Sequence, residues 1–147
     1  MKNNSLCMRS EIPLIRFRSV LTLVTLLVLS IGAADLAAGG PKWVAPASAN
    51  GKKNIVPSNA ASLQVGKKIY TKECVSCHGV KGAGDGPKVK ELTKEPGNFT
   101  TKEFESESDG AIFWKIAQGN KPMPTFKTAY SDEERWSLVN YLRTLHK

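Results

Sequence analysis

Five consecutive residues, Cys74-Val75-Ser76-Cys77-His78, constrain this chain more than any other feature. Two thiols three positions apart near a helix end can each add to one vinyl group on neighbouring edges of a porphyrin. The next residue then brings an imidazole to the iron from the same face. C-x-x-C-H is therefore the attachment pattern of a c-type haem. A dithiol oxidoreductase also uses C-x-x-C, but it expects a strand–helix–strand surround that is missing here. A tetrahedral zinc site needs a full set of protein ligands. Outside the N-terminal leader the cysteines are Cys74 and Cys77 and the histidines His78 and His146, the last being the penultimate residue. One covalent haem c is the expected cofactor.

The leader itself reads as an export segment. Lys2, Arg9, Arg16 and Arg18 outnumber Glu11, and an uncharged run of 15 residues follows from Val20 to Ala34. That length is near the upper end for a signal-peptide core and short for a spanning helix of roughly 20 residues. Leu36-Ala37-Ala38 can extend it beyond Asp35, so residues 1–38 stand as a signal peptide or a retained membrane anchor. Small residues mark three cleavage candidates, Gly32-Ala33-Ala34, Ala37-Ala38-Gly39 and Ala47-Ser48-Ala49. With either fate the basic end stays cytoplasmic and the remainder is exported. The expected location is periplasmic or exported, free or anchored facing the periplasm. Five basic and two acidic residues precede Asn50, so the chain's net charge of +8 becomes about +5 from Asn50 onward.

Residues 39–61 are dense in Gly, Pro, Ala and Asn without periodicity and read as an extended linker. Residues 62–147 form the domain. Its first helix is expected from Ser62, taken as the N-cap, to about Cys74. Gly66 within it marks a place where another backbone passes close. A second helix spans Asp109 to Gln118, ended by Gly119, with Ile112, Phe113 and Ile116 inward. The third opens on Ser131-Asp132-Glu133-Glu134, a capping box. Leu138, Tyr141, Leu142 and Leu145 then make its apolar stripe. No segment of strand period competes, so the fold class is all-α. A porphyrin would give so short a domain an apolar slab for Tyr70, Ile112, Phe113, Ile116, Phe126 and Trp136. Without it the chain is expected to fold poorly.

An iron held by His78 on one side needs a second ligand or stays open to substrate. Met1 and Met8 fall in the leader, which leaves Met123 in Lys121-Pro122-Met123-Pro124-Thr125-Phe126. A lone Met is most often core filler. Prolines on both sides stiffen this loop, however, which filler does not require. His146 is the competing ligand. His/Met ligation carries an expectation of a raised reduction potential.

On these residues the chain resembles the class I (cytochrome c-like) monohaem cytochromes of bacteria over about Ser62 to Leu145. The resemblance rests on the Gly66/Tyr70 helix, the Cys74–Gly79 box, the Met-Pro loop and the Leu138-x-x-Tyr141 helix. It implies a small cytochrome c-like fold with helices packed around one covalent haem, the first and last crossing near Gly66 and Tyr70 against Leu138 and Tyr141. It also implies that Pro87, in the glycine-rich stretch 79–87, offers its carbonyl to the His78 Nδ1–H. Such a bond orients a ligating imidazole. Residues 88–108 match nothing in that pattern.

With both axial positions filled, electron transfer leads over catalysis. Lys67, Lys68, Lys72, Lys81, Lys88 and Lys90 flank the haem box. They form either an ordinary solvated face or a basic collar that steers an acidic redox partner. Nucleic acid is not an expected partner, because no recognition motif accompanies this charge. Two alternatives remain. The chain could be a haem-bearing subunit of a membrane oxidase or dehydrogenase complex, or a small haem enzyme such as a peroxidase.

Overall fold

The structure, a computed structural model, describes residues 42–145. The leader, the cleavage candidates at Ala34 and Gly39, and His146 lie outside the described residues. Within them the secondary structure is helical and no strand occurs. No described helix is long and apolar enough to cross a membrane.

Helix α1 covers Ala47–Asn50 and α2 Ala60–Ile69. A π-helical turn, Tyr70–Cys74, joins α2 to α3 at Val75–His78. The chain therefore runs as one rod from residue 60 through the whole haem box. Its start differs from expectation. Asn59 is the N-cap, accepting from the Ser62 amide, while Ser62 Oγ accepts from the Asn59 amide and donates to the Pro57 carbonyl. Ser62 thus serves as the third residue of a reciprocal box. Ala60 and Ala61, both strong helix formers, carry the helix back to Asn59.

A short 3₁₀ turn at Val89–Glu91 precedes α4, Lys102–Ser106. Helix α5 spans Asp109–Gln118, the expected bounds, with Ser108 as its cap. Helix α6, Asp132–Arg143, opens on the anticipated Ser131/Glu134 box. Its Trp136 and Val139 are fully buried, and Trp136 stacks on Phe113 of α5 at 4.1 Å. Tyr70, Ile112, Phe113, Ile116, Phe126 and Trp136 all sit in one core cluster, so protein atoms alone already bury them.

Helix α2 crosses α6 at Gly66. A Cβ there would lie 2.1 Å from the Ser137 carbonyl oxygen and 2.7 Å from the Tyr141 Cβ. The sequence reading of Gly66 as a crossing point therefore describes a backbone-to-backbone contact.

The extended linker expected over 39–61 is corrected for its described part. Ala45 and Ala49 are buried against Ala111, and a Cβ on Gly110 would meet the Ala49 carbonyl at 2.0 Å. Asn54 Nδ2 donates to Asn140 Oδ1, and Asn140 Nδ2 donates to the Val56 carbonyl. The segment docks because small side chains fit a slot opened by Gly110, a match without any sequence period. Cleavage after Ala49 would remove the two buried alanines.

Residues 88–108 also gain a place. The Arg143 guanidinium donates to the carbonyls of Phe104, Glu105 and Glu107 and to the Asp109 carboxylate. It adds donors at the carbonyl end of α4 and ties that end to α6.

Gly66→Ala tests the crossing. Neither the Ser137 carbonyl nor the Tyr141 Cβ is the far end of a flexible side chain, so the helices must separate. We expect a loss of about 3 kcal/mol or more, read as a lowered midpoint in denaturant melts of the holoprotein. A midpoint unchanged from wild type would contradict this packing.

Candidate functional site

The haem box occupies the end of the α2–α3 rod, and its neighbours are arranged to hold that end still. Tyr70, at the start of the π turn, donates its hydroxyl to the Gly79 carbonyl at 2.6 Å. The bond spans the whole motif. Burial pushes the Tyr70 phenol well above its ordinary range, so it remains a donor. The glycine-rich stretch then folds back over α3. The Gly84 amide donates to the His78 carbonyl, Gly86 to Cys77 and Lys88 to Ser76. These bonds satisfy the carbonyls that a helix end leaves open.

His78 Nδ1 lies 2.9 Å from the Gly97 carbonyl oxygen. A carbonyl only accepts, so Nδ1 carries the proton and Nε2 keeps its lone pair. Burial holds the imidazole below its ordinary pKa, partly offset by the Gly97 bond. It is neutral at pH 7, as a metal ligand must be. The role implied for Pro87 thus falls to Gly97. Residues flanking Pro87 are committed to capping α3, and the chain approaching the ring comes from the next loop. The Phe99 amide pins that loop to the Gly82 carbonyl at 2.7 Å. Phe99 also stacks on the His78 ring at 4.5 Å between centroids, 20° from parallel. The unassigned segment 88–108 therefore fixes the imidazole.

Cys74 and Cys77 are free and half-buried. Burial pushes the Cys74 thiol up to about 12, with the Glu73 charge and Cys77 adding to the effect. A redox dithiol needs the reverse, a thiol acidified toward thiolate. Among the described residues no three His, Cys, Asp or Glu side chains gather where a bare metal ion could be held.

Met123 sits in a tight turn. Its amide donates to the Asn120 carbonyl and the Asn120 amide to the Met123 carbonyl, at 2.9 and 3.0 Å. The turn is tied back to α5 through Thr125 Oγ1 to Ala117 and the Phe126 amide to Ile116. Met123, Cys74, Val75, Phe99 and Tyr130 are half-buried side chains lying on one core cluster. Tyr130 Oη donates to Glu73 Oε1 at 2.8 Å, and Lys72 pairs with the same carboxylate at 3.0 Å. The Tyr130 hydrogen bond, and with it the hydrogen bond and charge of Lys72, hold the Glu73 carboxyl below its ordinary range.

Two unpaired thiols, a neutral imidazole with one nitrogen committed, a thioether and a shared apolar surface fit a covalently attached haem. Cys74 and Cys77 would bind it, and His78 would ligate the iron. Sequence reasoning missed Gly97, Phe99, Glu73 and Tyr130. The Asn98-Phe99 pair, between glycine and threonines, carries no periodic signal; tertiary contacts with Gly82, Tyr70 and Phe104 place it. The six lysines flanking the box are exposed.

Residues 63–146 match the family model described as Cytochrome c. One chain of the reducing HAO-like protein complex Kustc0457/Kustc0458 of Kuenenia stuttgartiensis is 35% identical over 63% of this chain, with a TM-score of 0.58. This chain spans about half of that one, 47%. The KustC0563 c-type cytochrome is 30% identical, the match covering 56% of this chain and 98% of that chain, with a TM-score of 0.47. No curated protein matched the sequence.

The two candidate supports of His78 separate experimentally. Phe99→Ala should cost about 2 kcal/mol and change the haem-methyl shift pattern in the NMR spectrum of the oxidised protein, which reports the imidazole plane. Pro87→Ala should leave that pattern as in wild type. The opposite ranking would restore the role to Pro87.

Proposed function

The chain belongs to the cytochrome c family, and from that premise we propose that His78 and Met123 are the axial ligands of its haem in a single-electron shuttle between exported redox partners. One covalently bound haem c and haem-based electron transfer come with the family. The bound haem supplies a one-electron couple at iron. The chain's residues supply its setting. Cys74 and Cys77 anchor it, and Gly97 and Phe99 hold His78 to one tautomer and one orientation. The paired Asn120–Met123 turn keeps the thioether from wandering.

The pinned Met123 turn carries this reading. A thioether held on both sides in sequence by proline, and by its backbone to Asn120, pays little ordering entropy when it ligates. With both axial positions occupied, the protein's part is electron exchange with little rearrangement. The exposed lysines Lys67, Lys68, Lys81, Lys88 and Lys90 make the collar that attracts an acidic partner.

A second reading, a haem-bearing subunit of a larger redox complex, is favoured by the 35% identity to a chain of the Kuenenia complex. We place the domain in the periplasm, with the leader cleaved upstream of the docked Ala45 or retained as a tether. The mass of the native N-terminus and its membrane fraction decide between them; a mature chain starting at Asn50 would exclude both.

Met123→Ala is expected to lower the reduction potential and abolish the near-infrared sulfur-to-iron band of the oxidised protein; retention of that band would assign the sixth ligand elsewhere. For the collar, electron transfer with an acidic partner protein should slow by about tenfold or more from low to high salt. A rate indifferent to salt would leave the lysines as an ordinary solvated face.

A further inference from the structure

We propose that Tyr130 and Glu73 form a latch that holds the Met123 turn against the haem-box rod and so limits exchange of the sixth ligand for a small neutral molecule. The inference rests on the Met123 reading above. Met123 and Tyr130 belong to one stretch between α5 and α6. Its first half is tied to α5 by Thr125 and Phe126. Its last residue before the Ser131 cap, Tyr130, reaches across to Glu73 at 2.8 Å. Glu73 lies in the π turn immediately before Cys74. The contact thus joins the segment bearing the thioether to the segment bearing the first thiol, 57 positions apart.

Few other bonds make that connection. Lys94 Nζ donates to Asn120 Oδ1 at 3.2 Å, which ties the turn to the 88–108 segment instead. Within the stretch itself, Met123 is paired with Asn120 and the Tyr130 amide donates to the Phe126 carbonyl. The Tyr130 hydroxyl also faces Lys72 on the rod. The other contacts of the two side chains are apolar ones with the core cluster and a tilted ring contact between Tyr130 and Phe126 at 6.1 Å. Apolar contacts slide; a charge-assisted hydrogen bond between a fixed phenol and an ionised carboxylate has one geometry. Lys72, on the same carboxylate at 3.0 Å, restrains Glu73 further. Opening the Met123 turn toward solvent requires this bond to break or its residues to move together. Tyr130 and Glu73 are positioning residues, acting on the iron through Met123.

Stopped-flow binding of imidazole to oxidised full-length holoprotein reads the opening directly. Hydrogen bonds to charged groups, discounted for the partial exposure of this one, predict about a tenfold faster imidazole reaction in Tyr130→Phe and in Glu73→Ala. The double variant should be no faster than either single one, because both remove one shared bond. Glu73→Gln keeps an accepting oxygen and should fall between. In each, the sulfur-to-iron band persists before imidazole is added. Asn140→Ala, destabilised at the docked N-terminal segment, should react at the wild-type rate. A wild-type rate in Tyr130→Phe, additive effects in the double variant, or equal acceleration in Asn140→Ala would each overturn the latch. Failure of the ligand assignment is recognised separately, by Met123→Ala retaining the band.

Discussion

Where α2 crosses α6 the two backbones touch, because Gly66 leaves no side chain between its own helix and the Ser137 carbonyl. That contact sets the position of everything carried by the rod. The π turn and α3 continue α2 without a break, so the distance from the crossing to Cys74, Cys77 and His78 is a matter of helix rise alone. On the other side, α6 brings Trp136 onto Phe113 of α5. Helix α5 in turn anchors the Met123 turn through Ala117 and Ile116. The haem-box rod and the Met123 turn are therefore referred to one helix pair.

Rigid referral leaves fine adjustment to loops. A helix end exposes carbonyls, and at α3 the glycine-rich stretch satisfies those of Ser76, Cys77 and His78 in succession. The His78 Nδ1 meets the Gly97 carbonyl rather than that of Pro87. The next loop thus orients the ring, through the Gly97 carbonyl and the Phe99 face. What holds that loop is again remote: Gly82 at one end and, at the other, Arg143 collecting the carbonyls of α4. A polar stretch without periodicity thus becomes the support of the imidazole.

The N-terminal segment follows the same logic. Its alanines enter a slot that Gly110 opens in α5, and the Asn54–Asn140 amide pair fixes its register on α6. Buried amides are costly unless paired, and this pairing makes the docking specific as well as apolar. The segment belongs to the folded domain.

From its residues alone the chain determined its helical class, the α5 bounds, the Ser131 capping box, the Gly66 crossing and the haem attachment. Each depends on neighbours within a turn or two, or on a residue type that permits only one geometry. The start of α2 was misplaced by a few residues because Asn59 and Ser62 are both good caps, and only their reciprocal bond ranks them. Tertiary structure decided the rest. It chose the carbonyl that meets His78, placed Phe99 on the ring, joined Tyr130 to Glu73 and docked the residues around Ala45 and Ala49. These are pairings between segments far apart in sequence, selected by which surfaces remain after the helices have packed, and no local pattern records them.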